Sequence, residues 1–180
     1  MKLNMIRSAI MGILSGNPQD EPMHYGEVFG TWTYLAVNKG CLVAYQTFVN
    51  HAGDDDLKKL LQEAIQGIKT ENQQIEELLK ANGIALPPSP PERPVAKLED
   101  IPIGARFADP EISAALSMDV AKGLVACSTI MGQSIREDIA AMFGQFHINK
   151  AIFGAKVLKL NKEKGWLVPP PLHLDTPNKD

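Results

Sequence analysis

Between Ile84 and Ala108 the chain reads IALPPSPPERPVAKLEDIPIGARFA, 25 residues that carry six prolines and little periodicity. Proline lacks a backbone N–H and clashes with the preceding turn, so no long helix runs through such a segment. Helical periodicity flanks it on both sides, and the segment therefore decides how the two halves of the chain can be joined. At about 3.3 Å per extended residue it can travel the whole length of a helix of about 40 Å. That is far more chain than a short helix–helix connection needs.

The flanking halves each hold two helix patterns. From His24 to Asn50 there is no proline, and Val28, Trp32, Leu35, Leu42 and Val49 keep a three-and-four spacing. Asp54 is placed to cap a second helix, with Asp55 and Asp56 at its positive end. That helix repeats Leu57, Leu61, Ala64, Ile68, Ile75 and Leu78 on one face. Asn82-Gly83-Ile84 is its stop, with Gly83 left-handed and Ile84 folded back on Leu79. Asp109-Pro110 begins a third helix, Asp109 as cap and Pro110 at the first helical position. In GQSIREDI (132–139), Ser134 and Glu137 have capping-box spacing, which ends the third helix near Gly132 and starts the fourth at Ile135. The fourth continues through Phe143, Phe146, Phe153, Val157 and Leu160 to a glycine stop at Gly165-Trp166.

An all-α, ferritin-like four-helix bundle follows: two hairpins joined by a long proline-rich crossover, with the second and third helices parallel. The alternative is an up-down-up-down bundle with an oversized end loop. The expected organisation is a short amphipathic N-terminal helix over 1–19, the bundle over 20–172 and a frayed tail over 173–180. Arg7, Ser8 and Gly12 break the apolar run that a signal peptide would need.

A net charge of −3 at 180 residues argues against a nucleic-acid-binding face, and no run of 18 apolar residues suggests a membrane span. Cys41 and Cys127 sit in apolar stretches and read as small buried hydrophobes, which suits a reducing, cytoplasmic setting.

A di-iron centre in such a bundle takes a glutamate from each of two helices and a Glu-x-x-His pair from each of the others. No Glu-x-x-His pair lies within the four helix patterns, and the reversed pairs His24/Glu27 and His51/Asp54 fall at opposite ends of the first. No cofactor is expected. Glu71 nevertheless lies in the apolar series of the second helix, and Lys39 in that of the first. Reflecting one helix on the other brings them within about a turn, so a buried Lys39–Glu71 pair is expected where a ferritin holds metal; the alternative has both reaching solvent. Asp119 and His147 fall at a similar height, and a single iron or manganese ion on Glu71, Asp119 and His147 is the competing metal reading. Glycines 123, 144 and 154 lie inside helices and read as points of close helix approach. No nucleophile-elbow or phosphate-loop pattern is present.

The run GEVFGTWTYLAVNKGCLVAYQTFVNHAGDDDLKKLL resembles the start of an uncharacterised ferritin-like family of spore-forming bacteria related to spore coat protein F. The residues that carry the resemblance are Glu27, Trp32, His51 and Asp54, joined by ARFADPE (105–111), SIREDIAAMF (134–143) and EKGWLVPPP (163–171). It extends over about residues 20–172 and implies the four-helix fold and a structural role in the spore coat, without a catalytic residue to carry over. The expectation is a non-enzymatic bundle acting through its surface, as a homodimer or with coat-protein partners, in the cytoplasm or the spore. A metal-binding protein or metal-dependent enzyme with an incomplete ligand set is the alternative, and a small-ligand binder with a cavity between the helices is a third reading.

Overall fold

The computed structural model describes residues 21–171 and 173, so the expected N-terminal helix (1–19) and nearly all of the tail (173–180) lie outside the described residues. Four long helices make up the described chain: α1 (Tyr25–His51), α2 (Asp55–Ala81), α3 (Asp109–Gln133) and α4 (Glu137–Glu163). Two short 3-10 turns, Leu98–Asp100 and Ile103–Ala105, interrupt the connection from α2 to α3, and the described residues contain no strand.

Local chemistry sets most of the ends. Asp54 caps α2, its carboxylate accepting the N–H groups of Asp56 and Leu57 at 2.9 and 3.0 Å. Gly83 (φ 70°) closes α2 in the left-handed region, and the Ile84 N–H returns to the Leu79 carbonyl at 2.9 Å. Gly165 (φ 70°) closes α4 in the same way, with Trp166 N–H on the Asn161 carbonyl at 2.9 Å.

Two expected caps act elsewhere. Asp109 is already inside α3, and its carboxylate accepts from the N–H groups of Gly53 (2.8 Å) and Asp54 (3.1 Å), across in the α1–α2 turn. Ser134 does not start α4; its hydroxyl donates back to the Ile130 carbonyl at 2.7 Å and it ends α3. The start of α4 is instead held by Glu27 of α1, whose Oε1 accepts the N–H groups of Ile135 (2.9 Å) and Arg136 (2.8 Å). A carboxylate on a neighbouring helix thus anchors the two backbone N–H groups just before α4, while Asp138 accepts the Ile139 N–H inside its first turn at 3.0 Å.

These two long-range contacts define the topology. Asp109 brings the starts of α2 and α3 to one end, and Glu27 brings the starts of α1 and α4 to the other, so α2 and α3 run parallel. The chain between them travels along α1. Ala85 accepts from the Trp32 indole N–H (2.9 Å), Arg93 N–H donates to Gln46 (2.8 Å), Pro94 and Ala96 bond Asn50, and Phe107 N–H donates to His51 Nδ1 (3.2 Å).

This route explains why α1 is buried over a broader arc than its apolar spacing suggests. Its buried residues include Glu27, Thr31, Tyr34, Asn38 and Tyr45, while the Trp32–Lys39–Gln46 stripe faces the connection. Trp32, expected in the core, is 36% exposed beneath that segment. The apolar interior divides into two halves. One holds Tyr34, Leu35, Ile75, Leu79, Cys127, Phe143 and Phe146; the other holds Tyr45, Leu57, Leu61, Ile112, Leu116 and Val157.

Candidate functional site

Between the two apolar halves lies a polar layer to which all four helices contribute. Glu71 projects into it from α2, in register with Ile68, Ile75 and Leu78, and is buried. Lys150 comes from α4 and places its ammonium 3.0 Å from each Glu71 oxygen. From α1, the Tyr34 hydroxyl donates to Glu71 Oε2 at 3.0 Å and the Asn38 amide donates to the same oxygen at 2.9 Å. From α3, Cys127 donates its thiol to the Tyr34 oxygen at 3.4 Å. Gly123 supplies the space in which the Lys150 stem crosses α3: a Cβ on it would fall 2.8 Å from Lys150 Cδ.

A buried carboxylate needs its charge matched and its lone pairs filled. Here a cation and two neutral donors do both. Burial first, and then the Glu71 charge, pushes the Tyr34 phenol far above its ordinary range, so it stays a donor. Burial likewise raises the Cys127 and Cys41 thiols, neither of which is poised as a thiolate nucleophile.

The expected pairing of Lys39 with Glu71 does not form, although both side chains are buried. Lys39 pairs with Glu76 at 3.0 Å and donates to the Pro87 carbonyl at 2.9 Å. The reason is rotational. Positions 71 and 76 lie about 140° apart on a helix of 3.6 residues per turn, so Glu76 faces α1 and the connection while Glu71 faces the bundle axis. Lys150 takes the place assigned to Lys39, and its sequence signal is its position in the series Phe143, Phe146, Phe153, Val157, where an apolar residue is due. Tyr34 and Asn38 gave no such signal, being on the stripe of α1 that the apolar spacing does not mark.

Beside this layer, a cavity of about 400 Å³ opens between α2 and α4, with Tyr45 of α1 and Asp119 of α3 also on its wall. Glu71 and Lys150 form part of its floor. Asp119 accepts from the Tyr45 hydroxyl at 3.4 Å and lies 3.8 Å from the Lys122 ammonium. Burial, then Asp119, raises the Tyr45 phenol far above its usual range.

The donor set does not fit a ferritin-type metal centre. Glu71 and Asp119 reach the cavity, but His147 is half-buried on α4 and is absent from its wall. Among the described residues no group of three or more His, Cys, Asp and Glu converges on one point. Glu21 and His24 have Glu-x-x-His spacing but precede α1; the Glu21 carbonyl accepts from Arg136 and the His24 ring caps the Gly26 N–H.

The second buried polar cluster joins helix ends. Besides holding α4, Glu27 accepts the His24 N–H at 3.1 Å. Arg136, 2% exposed, pairs with Asp138 at 2.7 Å and donates to the Glu21 carbonyl (2.9 Å) and to Asn82 (2.8 Å). Glu27, Trp32 and His51, which carry the sequence resemblance, each tie one segment to another, as Asp54 does through Lys164 after α4, and none lines the cavity.

Residues 11–178 match a family described as protein of unknown function (DUF3231). Uncharacterised protein YvdQ of Bacillus subtilis (strain 168) is 62% identical over 164 residues, 91% of this chain and 96% of that protein. A crystal structure from Bacillus halodurans C-125, named a "putative spore coat protein", is 68% identical with a TM-score of 0.87, covering 88% of this chain and all of that one. A two-domain protein of Anabaena variabilis with DJ-1/ThiJ/PfpI-like and ferritin-like domains shares the fold at a TM-score of 0.61 and 16% identity, over 84% of this chain and 40% of that one. The spore-former resemblance and the ferritin-like fold expected from the sequence are both borne out.

Proposed function

The chain belongs to the DUF3231 family, and on that footing we propose that it is a non-enzymatic bundle with a structural role in the spore coat, acting through its surface. The observation that carries this reading is the Glu71–Lys150 layer: the interior carboxylate that could have served chemistry is consumed by the protein's own donors. The name of the Bacillus halodurans relative supports that location. Fold likeness to ferritins supplies no iron chemistry by itself.

The partner in this reading is a second copy, seated on the outward face of α3 and α4. Met118, Val125, Ile148, Ile152 and Leu158 are between 45% and 67% exposed there. The same α3 stretch, within Ile103–Gln133, is long and apolar enough to cross a membrane by length and composition alone, and little of it is buried. With the start of α3 tied to the α1–α2 turn through Asp109, that face suits a protein partner. With 25 residues in α3 it is about 37 Å long and two helices wide, or about 700 Å². A standard interface takes about 800 Å² from each partner.

Fractionation of sporulating cells of the source organism, followed with a tagged full-length chain, tests the location. The reading expects enrichment in the spore coat extract; confinement to the soluble fraction of growing cells contradicts it.

A further inference from the structure

We propose that the cavity between α2 and α4 is a binding site for a small amphipathic cation, a primary ammonium on an apolar body. The cavity, at about 400 Å³, is in the size range of small-molecule sites. Ile68, Val120, Phe146 and Phe153 supply apolar wall, and Gly67 leaves one side open, since a Cβ there would meet nothing within 4 Å.

The sign of the ligand follows from which charges on the wall are already matched. Lys150 is held by both oxygens of Glu71, so it offers little to an anion. Glu63, at the mouth, is paired with Lys156. Asp119 is left. A carboxylate can accept about four hydrogen bonds, and Asp119 takes one long bond of 3.4 Å from Tyr45, with the Lys122 ammonium 3.8 Å away and two-thirds exposed. The remaining acceptor capacity faces a partly dry cavity, where an ammonium gains a charge-assisted bond while its apolar body covers the phenylalanines. An anion of the same shape meets Asp119 as a like charge, with Lys150 already engaged by Glu71.

Calorimetric titration of the full-length chain with hexylammonium, hexan-1-ol and hexanoate tests this. The expected order has hexylammonium binding at least about tenfold more tightly than either of the others. Asp119→Asn should remove that preference, and Gly67→Phe, which fills the open side without touching a charge, should weaken hexylammonium by about tenfold or more, while Lys122→Ala leaves it within about twofold. Circular dichroism identifies any variant that fails to fold, and Gly67→Phe keeps the test alive if Asp119→Asn does not. Equal or tighter binding of hexanoate, insensitivity to both cavity substitutions, or no binding of any probe at millimolar concentration overturns the proposal.

Discussion

The Lys150 ammonium of α4 sits 3.0 Å from both carboxylate oxygens of Glu71 on α2, across the bundle axis and between the two apolar halves of the core. Glu71 is 8% and Lys150 17% exposed in their side chains, so neither charge is well solvated without the other. Removing one partner should therefore cost about 3–5 kcal/mol, by urea denaturation of Glu71→Gln or Lys150→Met. Replacing both by methionine should recover only part of that loss, because two charges no longer need desolvating but the Tyr34 hydroxyl and Asn38 amide lose their acceptor. A single substitution costing less than about 1 kcal/mol would show that solvent reaches the layer.

Gly123 is required by the path of the Lys150 stem. Gly123→Ala should destabilise by about 1–3 kcal/mol through overpacking, although alanine is the better helix former. The same change in a Lys150→Ala background should be neutral or stabilising. Gly40, whose Cβ would meet nothing within 4 Å, is the control, and Gly40→Ala should stabilise by about 0.5–1 kcal/mol.

Glu27 joins α1 to the start of α4. Glu27→Ala leaves the N–H groups of Ile135, Arg136 and His24 without their acceptor. The expected cost is about 3 kcal/mol or more. Hydrogen exchange should show the Ile135 and Arg136 amides losing protection before those of α4; unchanged protection would place their acceptor elsewhere.

At the opposite end, Lys164 lies 2.7 Å from Asp54, the cap of α2. The hydrogen bond from Lys164, then the Leu57 N–H, holds the Asp54 carboxyl below its ordinary value. A lowered carboxylate contributes stability that is present above its unfolded pKa of about 3.9 and disappears as pH falls through the folded value. Denaturation midpoints should therefore drop below about pH 4, and Asp54→Asn should make that acid limb shallower. An unaltered limb would contradict the contribution of this cap.

Legibility in the sequence followed how many neighbours each helix has. Helix α2 shows one apolar stripe to one core, so Leu57 to Leu78 and the intruding Glu71 could be read directly. Helix α1 is covered on two sides, by the bundle and by the α2–α3 connection, and its apolar spacing spreads over both: Leu35 sits in the core while Trp32 meets the connection. That spread hid Tyr34 and Asn38 and gave Glu71 the wrong cation. Local caps at Asp54, Gly83 and Gly165 were readable because their partners are within a few residues. Asp109 and Glu27 bond backbone N–H groups 55 and 108 residues away, for which a linear pattern carries no sign.

The central claim is that the bundle's interior carboxylate is satisfied by Lys150, Tyr34 and Asn38 and not by a metal ion. Elemental analysis of the full-length chain, purified without chelator and then equilibrated with iron(II) or manganese(II) and desalted, tests it most directly. The account predicts well under about 0.1 equivalents per chain, with Glu71→Gln no different. One or two equivalents that disappear in Glu71→Gln would contradict it.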